Sequence, residues 1–175
     1  MRQLVYGVAA SLDGFVAGPD GAVDWIFPDS GIDFAAIYSR HDTLLMGRRT
    51  YEVARARGDM LKNAGMRIVV VSTTLGDSHN PEITVVSHGV GDRIRALKAE
   101  PGKDIWLMGG GVLFRSLLDA RLVDAVDVCV FPVLLGAGTP LLPDGQRALL
   151  TLAGCKALPS GVVMLSYLIS RAQHN

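Results

Sequence analysis

The residues Gly47-Arg48-Arg49-Thr50 pose the chemical question first. They follow the apolar run LLM and open the segment RRTYEVARA, so a glycine, two cations and a hydroxyl stand where a buried strand passes into a helix. Glycine lets a backbone approach an anion closely, and the first N–H groups of a helix have no partners within it. Arginine adds a charge-assisted fork, and Thr50 adds a hydroxyl donor. Two further stretches have the same form. Ser72-Thr73-Thr74 follows RIVVV, and Gly109-Gly110-Gly111 follows DIWLM and leads through Val112 and Leu113 into VLFRSLLDA. One such turn is ordinary. Three, each at the carboxyl end of a strand, point to an elongated ligand with several phosphates, because open α/β sheets bind ligands outside those ends. A dinucleotide fits that description.

The usual dinucleotide fingerprint is missing. No GxGxxG follows the first strand, and no GxxxxGK[ST] occurs anywhere, so neither a Rossmann turn nor a P-loop is present. In place of an acidic ribose selector the chain offers arginine and hydroxyls. That chemistry suits a 2′-phosphate, and NADPH rather than NADH is the expected cofactor.

These sites need a scaffold. QLVYGVAA (residues 3–10) reads as a first, central strand, and the glycine- and aspartate-rich segment 11–25 as a long loop. GIDFAAIYSRH is a helix with Phe34, Ile37 and Tyr38 on one face. DTLLMG, RIVVV, EITVVS and DIWLM are strands; the β-branched RIVVV run marks one covered on both faces. GDRIRALKAE is an amphipathic helix closed by Pro101-Gly102, with Arg93, Arg95 and Lys98 on a solvated face. VDVCVFPVLL is a core strand interrupted near Pro132, and ALLTLAGCKAL and VVMLSYLIS form a hairpin across Pro159-Ser160-Gly161. Strands alternate with helices early and pair antiparallel late. The expected fold is an α/β sandwich over residues 1–175, with a mixed, mostly parallel sheet and an antiparallel C-terminal hairpin.

Composition narrows the function. The 175 residues carry 17 basic and 17 acidic side chains, so no basic excess argues for nucleic acid. The N-terminal apolar run meets Asp13-Gly14 too early for a signal peptide or a spanning helix, so no membrane partner is expected. Cys129 and Cys155 form no CxxC pair and read as buried reduced thiols in a cytoplasmic protein. His41, His79, His88 and His174 lack ligand spacing, so no metal is assigned.

Together, AASLDGFVA, VDW, LLMGRRTYE, VVVSTT, IWLMGGGVLFRSLLDARLVD and VFPVLLGAGTPLL resemble, in order, the dihydrofolate reductase-like superfamily. They resemble most closely its RibD C-terminal, pyrimidine reductase-like branch, over about residues 3 to 170. The resemblance implies a dihydrofolate reductase-like three-layer α/β/α sandwich with NADPH across the strand ends. By motif match, Gly47 to Thr50 hold adenosine-side phosphates, and Ser72, Thr73 and Thr74 border the ribose and its 2′-phosphate. Gly109 to Leu113 cradle the pyrophosphate, and Ala9 and Ala10 sit by the nicotinamide. Residues 133–139 face the ligand or a dimer partner, and relatives of this kind form homodimers.

On the substrate side the resemblance places Asp13 of the SLDG turn beside the pocket, with Phe15 and Trp25 as flat walls for a small heterocycle. Met108 and Phe15 stand where riboflavin-pathway reductases carry glutamate and lysine. The early-helix carboxylate of dihydrofolate reductases falls near Ser30, between Asp29 and Asp33. No H-x-E…P-C-x-x-C deaminase motif occurs, so the chain corresponds to the reductase half alone. The implied reaction is hydride transfer from NADPH to a C=N or C=O carbon of a pyrimidine or pteridine, as in 5-amino-6-(5-phosphoribosylamino)uracil reduction. Asp13 or Asp33 is the candidate proton source. Dihydrofolate reduction and a non-catalytic ligand-binding role are the alternatives.

Overall fold

The computed structural model describes residues 1–58, 65–76 and 82–170; His79 and His174 lie outside them. The central strand is β1 (Leu4–Ser11), whose Leu4, Val5 and Tyr6 are buried. It pairs in parallel with β6 (Asp104–Leu107) on one side and β7 (Ala125–Phe131) on the other. Beyond β6 lie β3 (His41–Gly47), β4 (Arg67–Val71) and β5 (Ile83–Val86), all parallel. Beyond β7 lie β10 (Val163–Ile169) and then β9 (Leu150–Ala157), both antiparallel to their neighbours. The eight-stranded order is β5-β4-β3-β6-β1-β7-β10-β9. Within the expected long loop, β2 (Phe15–Ala17) pairs with β8 (Thr139–Pro140) as a separate two-stranded piece.

Side chains alternate across the strands, and the sheet is covered on both faces. Tyr6, Leu45, Val69 and Leu107 point to α3 (Val90–Ala99) and α4 (Gly111–Asp119), meeting Ile94, Leu97 and Leu117. Their neighbours Leu44, Met46, Ile68 and Val70 point the other way, onto Tyr51 of α2 (Arg48–Ala56). On that second face α1 (Phe34–Arg40) has no buried residue, so it stands off the sheet and leaves space beneath it.

Three expectations need correction. Lys98 is not solvated. It follows Ile94 by one helical turn, on the buried side of α3, and is 6% exposed. Its ammonium donates to Leu122 O at 2.7 Å and pairs with Asp124, whose carboxylate also accepts the Leu4 N–H at 2.8 Å. Nor is Cys155 buried: it lies on β9, the sheet's outer strand, whose residues are nearly all exposed. The apolar run at 126–135 is core only in part, since its strand ends at Phe131 before Pro132 and Leu134 is exposed.

The Lys98–Asp124 pair ties α3 to the starts of β1 and β7. Asp124→Ala leaves a buried cation without its counter-ion and lowers stability by about 3–5 kcal/mol in urea unfolding. Asp92→Ala, which breaks the exposed pair with Arg95, costs less than about 1 kcal/mol.

Candidate active site

A cleft of about 1700 Å³ runs along the carboxyl ends of β4, β3, β6 and β1 and on beneath α1. Its first half is built by the three strand-end sites. Gly47, at the end of β3, is the N-cap of α2, so the unpaired N–H groups of that helix face the cleft with Arg48, Arg49 and Thr50. Gly110 is the N-cap of α4 at φ +85°, a left-handed conformation that side chains rarely adopt. A Cβ on Gly109, also left-handed at φ +72°, would stand 3.2 Å from Thr50 Cγ2, and one on Gly110 would stand 3.7 Å from Gly47 N. The first and third sites are therefore in contact. A Cβ on Gly47 would meet nothing within 4 Å, so packing does not explain that glycine and a ligand can approach it closely.

The second site borders them across β4. The Ser72 hydroxyl accepts the Thr74 and Leu75 N–H groups at 3.2 and 2.9 Å, fixing the turn and leaving Thr73 and Thr74 exposed at the cleft. Arg48 pairs with Glu52 one turn along α2 at 2.9 Å, with both groups solvated. Val112 and Leu113 complete this half from the first turn of α4, and Ala9 reaches the cleft from β1. Ala10 does not: the pleat turns it into the core, where it is 2% exposed.

The second half lies between α1 and the sheet. Its floor is Gly7 and Ala9 of β1, Asp127 and Cys129 of β7, and Met164 and Ser166 of β10. Trp106 lies across Gly7, donating from Nε1 to Gly7 O at 2.9 Å; any side chain at position 7 would collide with the indole. Tyr38 and His41 sit against that indole at 5.9 and 5.7 Å between ring centroids. His41 joins Nδ1 to Ile37 O at 2.7 Å, its Nε2 is buried without a hydrogen-bond partner among the described residues, and burial lowers its pKa. Burial likewise raises that of the Cys129 thiol. Phe27 and Phe34, 40% and 47% exposed, stand at the rim.

The expected substrate-side residues are placed otherwise. The Asp13 carboxylate accepts the Ser11 hydroxyl at 2.6 Å, Leu135 N at 3.1 Å and Gly136 N at 2.7 Å. It fastens the turn after β1 to the segment after β7 and does not line the cleft. Asp33 caps α1 through Ala36 N at 2.8 Å. Phe15 is used in β2, and Trp25 packs edge-on behind Phe131 at 5.7 Å. Of the early aspartates, Asp20 and Asp29 line the cleft, and the oxygens of Asp29 are taken by Gly31 N at 2.7 Å and by the Ser160 hydroxyl. Trp106 lay inside the IWLMGGG motif without being singled out, and Tyr38, His41 and Asp127 had no motif to mark them, although Asp127 and Cys129 share one parity on β7 while Val126 and Val128 share the other.

Residues 2–164 match the family described as the RibD C-terminal domain. The chain belongs to that family. The chain is similar to the protein YyaP of Bacillus subtilis (strain 168), at 31% identity over 95% of this chain and 94% of that one. The crystal structure of a proposed riboflavin biosynthesis protein from Shewanella sp. PV-4 superimposes with a TM-score of 0.83, at 26% identity, covering 98% of this chain and all of that one. Dihydrofolate reductase from Enterococcus faecalis, complexed with NADP(H), shares the fold with a TM-score of 0.70 at 18% identity, over 95% of this chain and 96% of that one. This RibD C-terminal chain thus has a dihydrofolate reductase-like α/β fold.

The Asp13 contacts predict a pH effect. Bonding from the Ser11 hydroxyl and the Gly136 and Leu135 amides holds its pKa below the ordinary carboxylate value. The turn's support is complete above that value and is lost as pH falls through the lowered one. Asp13→Ala removes it at every pH, seen as faster hydrogen exchange of the Leu135 and Gly136 amides at neutral pH.

Proposed function

We propose that this protein is an NADPH-dependent reductase of a small planar heterocycle of pyrimidine or pteridine type. The observation that carries the reading is the meeting of the three strand-end sites in one cleft, continuous with an aromatic-walled slot under α1. The residues fit the cofactor. Two helix N-termini and the open Gly47 backbone suit a pyrophosphate, and Arg48, Arg49, Ser72 and Thr73 suit a 2′-phosphate. Ala9 has too small a side chain to obstruct a ring laid over the end of β1. Bound there, NADPH supplies a hydride.

The chain's own contribution is positioning. Gly7 and Ala9 keep the floor flat, Trp106 and Tyr38 wall the slot, and the apolar rim at Phe27 and Phe34 limits water. Asp13 and Asp33 are committed to backbone contacts, so solvent at the cleft mouth, and neither of these two, is the proposed proton source. Met108 and Phe15 depart from the riboflavin-pathway pattern, so the substrate differs from a ribosylaminopyrimidine phosphate in the groups those positions would read.

NADPH stabilises the protein in thermal unfolding, by about 2.7 kcal/mol at a hundredfold excess over Kd, and NADH does so at much higher concentration only. Arg49→Ala weakens NADPH binding about ten- to a hundredfold, the worth of a charge-assisted hydrogen bond, and leaves NADH binding nearly unchanged. Equal stabilisation by the two cofactors would contradict the assignment of Arg49 and Ser72.

We also propose a homodimer, formed through β9. This outer strand exposes Leu150 and Leu152 at 45% and 56%, with Leu149 and Leu168 beside them at 48% and 46%. An apolar, unpaired sheet edge of this length invites pairing with another strand, and a second β9 in antiparallel is its natural complement. Sedimentation equilibrium gives a dimer for the wild type and a monomer for Leu152→Glu, with NADPH affinity retained.

A further inference from the structure

Asp127 is the one cleft-floor residue with a formal charge among those contributed by β1, β7 and β10. It stands mid-strand on β7, opposite Gly7 of β1 and Ser166 of β10. The serine on one side is small, and over the glycine on the other lies the Trp106 indole, so the carboxylate stays 30% exposed beside that ring. Its nearest described cation, Arg40 Nη1 at the end of α1, is 3.7 Å away, beyond hydrogen-bond reach, and 53% exposed. Such a contact is weak and yields to a better donor. By contrast, the other aspartate under α1, Asp29, has both oxygens engaged by Gly31 and Ser160. Beside Asp127 the Trp106 indole lies across Gly7, held by its own hydrogen bond, and forms a fixed flat wall.

A half-buried carboxylate on a sheet face, with no hydrogen bond to its oxygens among the described residues and a planar ring beside it, suits one kind of ligand edge. We infer that Asp127 reads the substrate, and that the substrate is a planar nitrogen heterocycle presenting adjacent N–H donors, of the amino-substituted or amidine type, to that carboxylate. A ring with carbonyl oxygens at the same edge would set acceptor against acceptor and is disfavoured. This inference rests on the reading of the cleft as a reductase site and adds to it the recognition group and the ligand edge.

The test uses two rings of equal size, 2,4-diaminopyrimidine and uracil, titrated into the full-length protein with and without saturating NADPH and followed by NMR. Asp127→Asn keeps the shape and loses the charge; Asp127→Ser is the second variant, so that one decides if the other misfolds. The wild type binds 2,4-diaminopyrimidine at least about tenfold more tightly than uracil, as one charge-assisted hydrogen bond implies. Both variants lose that preference and keep the wild-type affinity for NADPH. A preference that survives in a folded variant, equal binding of the two rings, or binding of neither overturns the assignment of Asp127. Failure of NADPH to bind the wild type counts against the reductase reading instead, and the ring preference of the cofactor-free protein still judges Asp127.

Discussion

Parallel pairing of β4, β3, β6 and β1 brings four carboxyl ends to the same edge of the sheet. A parallel strand must be left by a crossover, and each crossover here begins with a turn or a helix start at that edge. Backbone N–H groups without strand partners therefore collect there. The registers make the gathering tight: Gly47 pairs with Val71, and Leu45 with Leu107, so Ser72 and Met108-Gly109 emerge on either side of Gly47. The left-handed glycines at 109 and 110 then let the start of α4 lie against Thr50 and Gly47. The proposed anion-binding capacity would follow from strand direction, with the arginines refining it.

The slot under α1 depends on a different balance. A seven-residue helix with no buried side chain contributes little to the core. It is held at its start by the Asp33 cap and passes directly at its end into β3 at His41, where the imidazole bonds back to Ile37. Anchored at both ends and loosely packed between them, α1 roofs a space that the sheet floors with small or polar side chains. The antiparallel addition of β10 and β9 extends that floor through Met164 and Ser166.

Much of this was legible in the sequence. The strand-to-turn transitions at 47, 72 and 109 are local signals, and local signals survive folding. The β-branched RIVVV run reported a covered strand for the same reason. What was lost depends on partners distant in the chain. Lys98 reads as one more helix-face charge until Asp124, on another element, is brought beside it; its place one turn after Ile94 was the available clue. Cys155 sits in a run as apolar as any core strand, and only the strand order shows it to be at the edge. Asp13 looked chemical because a turn aspartate near a strand end often is, whereas its carboxylate is consumed by amides some 120 residues away. Asp127 shows the reverse. Its alternation with valines marked a strand with one face off the core, a pattern that hydrophobic content alone hides.

The most direct test of the account is a crystal structure of the protein grown with NADPH. The expected pose has the 2′-phosphate beside Arg48, Arg49 and Ser72, the pyrophosphate over Gly109 to Gly111, and the nicotinamide at Ala9, facing the slot under α1. A cofactor bound with its adenosine end under α1, or bound away from the ends of β3, β4 and β6, would contradict it.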